Sequence, residues 1–204
     1  YTATLDNYKD SKEKEYLINE KLTSVMLSTK GADLSDTIDD SNYENDEKNF
    51  YIDRHSNGTC MIMNYYGKKT KVKIPKEVDG YIVTDLHWFW GNDKITDIII
   101  PEGNFDFNSQ AFSNCRSLKN IYVDPNNKRY SSDNGILFSK NKDKILCFPK
   151  GRSETEYLIP DSVIEIGDNA FEDCGNLLSI TIPNGVTTIG SAAFKCTSIS
   201  AIDI

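Results

Sequence analysis

A repeat of 23 residues constrains the fold of this chain more than any other feature of its sequence. The repeat is clearest when the segment that begins at Pro160 is aligned with the segment that begins at Pro183. The apolar and small residues of the first copy that recur in the second are Ile159, Pro160, Val163, Ile166, Gly167, Ala170, Phe171, Cys174, Leu177 and Ile180. A fixed period of this length is typical of a solenoid, in which each coil buries its apolar face against the next.

Two further copies lie upstream, one beginning at Ile100 and a degenerate one beginning at Ile74. Each period contains two short β-prone runs, Val-x-x-Ile-Gly and Leu-x-x-Ile-x-Ile-Pro. In stacked coils these runs pair with the coil above, about 4.8 Å away, and form parallel ladders. The predicted fold class is therefore mainly β, a solenoid of 23-residue coils over residues 50–204. Phe171 is expected in a buried column beside small Ala residues.

Cysteines recur at one point of the coil, at Cys115, Cys174 and Cys196, and Asn92 replaces them in the degenerate copy. Small, weakly polar side chains suit a buried inward turn, so we interpret these cysteines as packing residues. The asparagine at the same point is expected to hydrogen-bond to the backbone of a neighbouring coil.

Two segments of the solenoid region depart from the repeat. Residues 50–73 are predicted to form an N-terminal β-meander cap, because Asn57-Gly58 between two β-prone runs favours a hairpin. Residues 124–158 are predicted to be a β-hairpin insert, with strands at Ile136–Phe138 and Ile145–Phe148. We expect the insert to break the regular curvature.

The first 49 residues have a different character. Residues 1–30 carry apolar residues at three- and four-residue steps, which predicts an amphipathic helix. Residues 31–49 are rich in Asp and Glu and are interpreted as an acidic linker. Clustered carboxylates also suggest calcium, but the spacing D-x-D-x-D-G is absent, so we expect no metal site.

Composition argues against several classes of function. The net charge of −8 disfavours nucleic acid and anionic membranes, because both are bound through clustered Lys and Arg. No apolar run approaches the roughly 18 residues of a transmembrane segment. The five cysteines include no Cys-x-x-Cys pair, which argues against zinc and against a disulfide framework.

Motifs of known catalytic sites are also missing. The sequence contains no G-x-S-x-G, no H-E-x-x-H and no glycine-rich phosphate loop. Its two histidines, His55 and His87, have no nucleophile motif beside them. We therefore expect no catalytic residue and no cofactor. The paired carboxylates of glycosidases need not be close in the chain, so that alternative stays open.

The repeat I-P-x-x-V-x-x-I-G-x-x-A-F-x-x-C-x-x-L-x-x-I resembles that of BspA-like leucine-rich-repeat proteins. The resemblance covers residues 74–204, and the insert motif D-P-N-N-x-x-Y-S-S-x-x-G-I-L-F is similar to a hairpin insertion in that family. Residues 1–49 show no such resemblance. The resemblance implies a right-handed leucine-rich-repeat solenoid that is exported or attached to the bacterial surface. Because the sequence begins at Tyr1 rather than at a methionine, we expect that a signal or anchor has been removed from this chain. The resemblance also implies adhesion to a host or neighbouring-cell surface protein, without catalysis.

Solenoids bind partners along the strand face, through residues between the buried positions. The predicted outward strand residues are Ile99, Tyr122, Thr181 and Asp203. Aromatic side chains are enriched at interfaces, and on this basis the predicted contact site comprises Trp88, Trp90, Phe105 and Tyr122. The alternative is that the N-terminal meander or the insert covers these rings.

Two other functions stay open from the sequence. A carbohydrate-binding module is predicted to present exposed, coplanar aromatic rings for stacking on a glycan. A structural spacer within a larger surface protein is predicted to present neither rings nor a broad patch. Because the last coil carries no polar cap, we expect either further repeats or a partner beyond Ile204.

Overall fold

The computed structural model describes residues 41–43, 45–87, 89, 92–103, 105–113 and 115–203, and they form short strands with little helix. The strands are β1 (Phe50–Arg54), β2 (Thr59–Tyr65), β3 (Lys71–Lys73), β4 (Glu77–Val78), β5 (Tyr81–Leu86), β6 (Asp97–Ile100), β7 (Asp106–Phe107), β8 (Asn120–Val123), β9 (Tyr130–Asp133), β10 (Ile136–Ser139), β11 (Lys144–Cys147), β12 (Glu156–Leu158), β13 (Glu165–Ile166), β14 (Ser179–Thr181), β15 (Thr188–Ile189) and β16 (Ala201–Asp203). A 3-10 turn, Glu47–Asn49, precedes β1. The predicted helix over residues 1–30 lies outside the described residues, as do residues 31–40 of the predicted linker.

Four parallel ladders confirm the mainly β solenoid. The two front ladders have the strand orders β3-β6-β8 and β12-β14-β16. The two back ladders run β2-β5-β7 and β11-β13-β15. The first ladder of each kind builds the first stack of coils, and the second builds the second stack. Both β-prone runs of each repeat thus form strands where the sequence predicts them.

Register places one buried row along the middle of each front ladder. In the first stack, Val72, Ile98 and Ile121 are paired side by side and fully buried. Because side chains alternate across a strand, the residues on either side of this row point outward. The β-branched residues of the repeat therefore form the core.

Phenylalanine rings form the predicted buried column. In the second stack the Phe171 ring stacks on Phe148 at 5.4 Å and on Phe194 at 5.2 Å between centroids. The backbone N–H of Phe171 donates to the Ala193 carbonyl at 2.8 Å, and the N–H of Phe148 donates to the Ala170 carbonyl at 2.7 Å. The small Ala side chain lets the next coil approach closely enough for this bond.

Two of the three repeat cysteines have the predicted packing role. The buried thiol of Cys174 donates to the Phe148 carbonyl at 3.5 Å. Asn92, which holds the cysteine position in the degenerate repeat, makes the corresponding bond: its Nδ2 donates to the Tyr65 carbonyl at 2.9 Å. Burial raises the pKa of the Cys115 thiol to about 12, so it stays protonated at neutral pH. The expectation that Cys196 is buried is wrong. Its repeat is one residue short, and Cys196 adopts a positive φ of 55° with an exposed side chain.

The N-terminal cap is smaller than predicted. The β1–β2 hairpin over Asn57-Gly58 is confirmed by antiparallel pairing. However, β3 pairs in parallel with β6 and not with β2, so the segment 50–73 is not a continuous meander. Since β2 itself pairs in parallel with β5, strands β2 and β3 already form a coil, and β1 alone lies outside it.

The segment predicted as the insert, residues 124–158, contains β9 and β12 in addition to the two predicted strands. The β10–β11 hairpin is confirmed, but β9 also pairs antiparallel with β10 across a turn at Asn134-Gly135, where φ is 47° and 76°. Strand β11 then joins the back ladder and β12 the front ladder of the second stack. The insert is therefore a three-stranded meander that leads directly into a new coil.

This meander ends the ladders of the first stack. The N–H of Ile121 in β8 donates to the Gly135 carbonyl at 2.8 Å, and the N–H of Val123 donates to Ser132 Oγ at 3.0 Å. In the first back ladder, the Tyr130 ring packs edge-on against Phe107 at 4.9 Å. The two front ladders are therefore separate sheets rather than one.

Strand β10 separates the two hydrophobic cores. Leu137 belongs to the core of the first stack, whereas Ile136 and Phe138 belong to the core of the second. All three side chains are buried. A strand that is apolar on both faces explains the uninterrupted Ile-Leu-Phe run in the sequence.

A buried ion pair joins the stacks at their loops. Lys150 Nζ lies 3.5 Å from Glu172 Oε2 and donates to the Ser113 carbonyl at 2.8 Å. Ser113 Oγ donates to Glu172 Oε2 at 3.1 Å, and Lys195 Nζ donates to Oε1 at 3.0 Å. Burial alone raises the pKa of Glu172, but the Lys195 hydrogen bond, the Lys150 charge and the Ser113 hydroxyl outweigh it. The pKa of Glu172 is therefore below its ordinary value.

We expect the Glu172 carboxylate to contribute an acid-sensitive part of the stability. Because its pKa is lower in the folded than in the unfolded chain, its contribution is complete above the unfolded pKa and is lost as pH falls through the folded pKa. Urea unfolding from about pH 6 down to about pH 3 tests this. Glu172→Gln should lower the free energy of unfolding at pH 6 and flatten its decline in acid. An unchanged acid slope would contradict the assignment.

Candidate protein-binding face

The front ladder of the second stack presents an open strand face. Its outward rows, paired in register, are Glu156, Ser179 and Ala201 in one row and Leu158, Thr181 and Asp203 in the other. Together with Leu178, which precedes β14, these seven residues are called the ladder face. Leu158 is 58% exposed and Leu178 48% exposed. The buried Ile180 lies between the two rows and fixes which side chains point outward.

The outward side chains in the middle and last strands of the ladder face are short, at Ser179, Thr181, Ala201 and Asp203. Alternation along each strand turns Tyr157 and Ile180 into the core and leaves hydroxyl, methyl and carboxylate groups outside. Where the strands end, a shallow depression of about 400 Å³ continues the face. It is lined by Asp161, Thr181, Ile182, Pro183, Asn184 and Gly185. The result is a surface of low relief on which another chain can lie.

The front ladder of the first stack differs. The Asp97 carboxylate is buried and accepts hydrogen bonds from Thr96 Oγ1 at 2.7 Å and Asn120 Nδ2 at 2.9 Å. Ile99 lies beside the buried row, as predicted for an outward position, but it is only 5% exposed, so the expectation that it is accessible to a partner is wrong. Tyr122 beside it is half-buried, and burial raises the pKa of its hydroxyl.

The structure describes two of the four residues of the predicted aromatic contact site, Phe105 and Tyr122. Trp88 and Trp90 lie outside the described residues. Phe105 is 2% exposed and belongs to the first core, which corrects the expectation that it is a surface contact. It is buried because Gly103, at φ 140°, leaves room for the ring: a Cβ there would lie 2.8 Å from it. Phe105 also precedes a back-ladder strand, whereas Tyr122 lies in a front ladder.

Thr181 and Asp203 point outward as predicted, and the structure adds residues that the sequence analysis missed. Glu156 and Leu158 were assigned to the insert, so their place in a front ladder was not recognised. The missed signal is the alternation Glu-Tyr-Leu-Ile just before Pro160, which matches the Ser-Ile-Thr-Ile run before Pro183.

Carboxylates dominate the charge around the ladder face. Residues 153–204 contain eight Asp and Glu, at 154, 156, 161, 165, 168, 172, 173 and 203, and one basic residue, Lys195. Several of these are paired, since Glu165 lies 2.6 Å from Lys144 and Glu172 bonds to Lys150 and Lys195. Within the part of the chain that the structure describes, no ion pair engages Glu156, Asp161 or Asp203.

Two further features were sought in the described ranges between residues 41 and 203, a metal-binding cluster and a membrane-spanning helix. No group of three or more His, Cys, Asp and Glu side chains there is arranged to hold a metal ion. No helix in those ranges is long and apolar enough to cross a bilayer.

Comparison with solved structures finds bacterial leucine-rich-repeat proteins. A protein from Eubacterium ventriosum is 25% identical, with a TM-score of 0.49, and the match covers 70% of this chain and 38% of that one. A protein from Bacteroides ovatus is 26% identical, with a TM-score of 0.45 and coverage of 76% and 40%. The T. pallidum leucine-rich-repeat protein is 24% identical, with a TM-score of 0.49 and coverage of 78% and 70%. This chain thus spans less than half the length of the first two. Comparison with curated proteins finds no match.

The family is shown by the repeat itself. The model of the BspA type leucine rich repeat region matches residues 65–134 and 146–204 in six copies, which is more than half of the chain. The first matched segment begins within β2, and the second begins within β11, where the new coil starts. The chain therefore belongs to the BspA type leucine-rich-repeat family.

Proposed function

We propose that this chain is a non-catalytic protein-binding module that acts outside the cell, on the bacterial surface or after secretion, as an adhesin. The observation that supports it best is the ladder face, a surface of low relief built from three strands in register, with exposed residues in the two outer strands and half-buried ones in the middle strand. Strands fix these side chains rigidly, so a partner meets a preorganised surface and little ordering entropy is lost on binding. The family supports a binding role, because solenoids of repeats present extended surfaces to partners.

A single substitution at the centre of the ladder face tests this function. Thr181→Arg puts a long charged side chain into the middle of the face, where it should block close approach of a partner. Binding to a panel of immobilised host and bacterial surface proteins is the measurement. We expect saturable binding to at least one protein, weakened by about tenfold or more in Thr181→Arg, as for disruption of an interface centre.

Thr188→Arg is the control with the same change of side chain, because Thr188 is an exposed threonine in a strand of the back ladder of the same stack. It should bind as the natural chain does. Equal loss of binding in both variants, or no binding to any protein of the panel, would contradict the proposal.

Glycans belong in the same panel as the competing function. The exposed rings of Tyr51 and Tyr66 lie 6.4 Å apart and are tilted by 48°, so they do not present the coplanar platform that stacking on a sugar favours. Binding to glycans alone, insensitive to Thr181→Arg, would favour a carbohydrate-binding module over a protein-binding one.

A further inference from the structure

We infer that the partner of the ladder face is a cationic, amphipathic protein segment, one that carries Lys or Arg side chains beside an aliphatic one. The inference rests on the proposed function, since it names the chemistry of the partner for the same face. It is carried by the distribution of charge and of exposed leucine over the described residues.

The charge of the chain is strongly asymmetric. The last 52 residues carry eight acidic and one basic side chain, a net charge of −7, whereas residues 1–152 carry 23 acidic and 22 basic ones, a net charge of −1. Four of these eight carboxylates, Glu154, Glu165, Glu172 and Asp173, form ion pairs with Arg152, Lys144, Lys150 and Lys195. Among the described residues, the uncompensated negative charge of the segment therefore lies on Glu156, Asp161, Asp168 and Asp203. A surface with charge of one sign attracts a partner of the opposite sign and speeds its association.

The carboxylates on the face itself are available to a partner. Glu156 and Asp203 lie in the outward rows, and Asp161 lines the depression where the strands end. All three side chains are exposed. The only lysine of the segment, Lys195, donates to Glu172 on the loop side of the coil and so does not neutralise the face.

The ladder face also exposes two leucines, Leu158 and Leu178, next to its carboxylates. Electrostatic attraction of a partner does not require these apolar side chains, so they indicate an apolar part in the partner. Leu158 lies two residues after Glu156 in β12. Leu178 precedes β14, and its N–H donates to the Thr155 carbonyl at 2.7 Å. Leu158 is paired with Thr181, which lies three residues after Leu178, so the two leucines are about 10 Å apart along the strand direction. An extended or helical segment that places aliphatic side chains on these leucines brings flanking Lys or Arg side chains to the carboxylates. A purely cationic polymer would leave both leucines in water.

Selection from a random library of displayed short peptides tests this chemistry without assuming a sequence. The natural chain is the bait. The triple variant Glu156→Gln, Asp161→Asn, Asp203→Asn serves for counter-selection. We expect the recovered peptides to be enriched in Lys or Arg together with Leu, Ile or Val. No enrichment over the starting library, enrichment of acidic peptides, or enrichment of Lys and Arg alone would overturn the inference.

Dissociation constants of a recovered peptide then locate the site. With three charge pairs lost, the triple variant should bind about tenfold or more weakly, and binding to the natural chain should weaken as salt screens the charges. The control triple variant Asp53→Asn, Glu77→Gln, Asp93→Asn removes the same charge from exposed positions outside the second stack and should bind normally. Equal weakening in both variants would mean that only the net charge matters, and would overturn the inference.

The outcome is separable from that of the proposed function. If a surface protein binds and Thr181→Arg abolishes that binding, the function stands even when the acidic triple variant binds the protein normally. In that case only the cationic partner is refuted. If Thr181→Arg has no effect on any bound protein, the ladder face is not the site and both fail.

Discussion

Replacement of Phe171 by alanine is expected to lower the free energy of unfolding by about 3–5 kcal/mol, as for other fully buried aromatic residues. Its ring is stacked between those of Phe148 and Phe194, and its exposed fraction is 0%. Removing it leaves a cavity that the coils above and below cannot close, because the backbone bond from Phe171 to Ala193 fixes their spacing. Urea unfolding followed by circular dichroism measures the change.

Phe194→Ala is the comparison for this prediction. The ring of Phe194 is only partly buried, since it lies in the last coil described. The loss of stability should therefore be clearly smaller than for Phe171→Ala, by about 1–2 kcal/mol. Equal losses in the two variants would show that the column is not packed as described.

The second large effect is expected at Asn127, which is fully buried in the insert. Its Nδ2 donates to the Pro101 carbonyl at 2.8 Å, while its Oδ1 accepts from the N–H groups of Arg129 and Tyr130 at 3.0 and 2.9 Å. Asn127→Ala leaves three backbone groups without a partner. At about 1–3 kcal/mol for each buried group, partly offset where water enters, we expect a loss of about 3 kcal/mol.

The neighbouring asparagine provides the control. Asn126 is exposed, and Asn126→Ala should change the stability by less than about 0.5 kcal/mol. Thermal and urea unfolding of the two variants in parallel measure the difference. A small loss at both positions would mean that the backbone at Arg129 and Tyr130 does not depend on the Asn127 side chain.

The repeat allowed most of the coil architecture to be predicted, because burial in a solenoid recurs at a fixed interval. The strand runs before Pro183, the Phe171 column and the Asn92 hydrogen bond all follow from positions that recur or are replaced in kind. The insert was only partly predicted. The Asn134-Gly135 pair is a strong hairpin signal in the sequence, and it marks the turn that joins β9 to β10.

The candidate site was harder to predict than the fold, for a physical reason. Whether an aromatic residue is exposed depends on the space around it, as Gly103 shows for Phe105. Whether a carboxylate has a partner depends on which coils meet, as for Glu172 and Ser113, which are 59 residues apart in the sequence. Alternation within a strand identifies its outward positions only when the strand has been assigned to the correct ladder. The sequence analysis placed β12 in the insert and not in a front ladder, so Glu156 and Leu158 were not predicted as outward residues.

Strand β10 has a consequence for how this chain loses its structure. In a regular solenoid, neighbouring coils are coupled only through the surface that they share, so end coils fray first and unfolding proceeds coil by coil. Here a single strand contributes Leu137 to one core and Ile136 and Phe138 to the other. Neither core can open at this boundary without exposing the strand that completes its neighbour. The amide hydrogens of β10 should therefore exchange with solvent as slowly as any in the chain, through opening events that involve both stacks together.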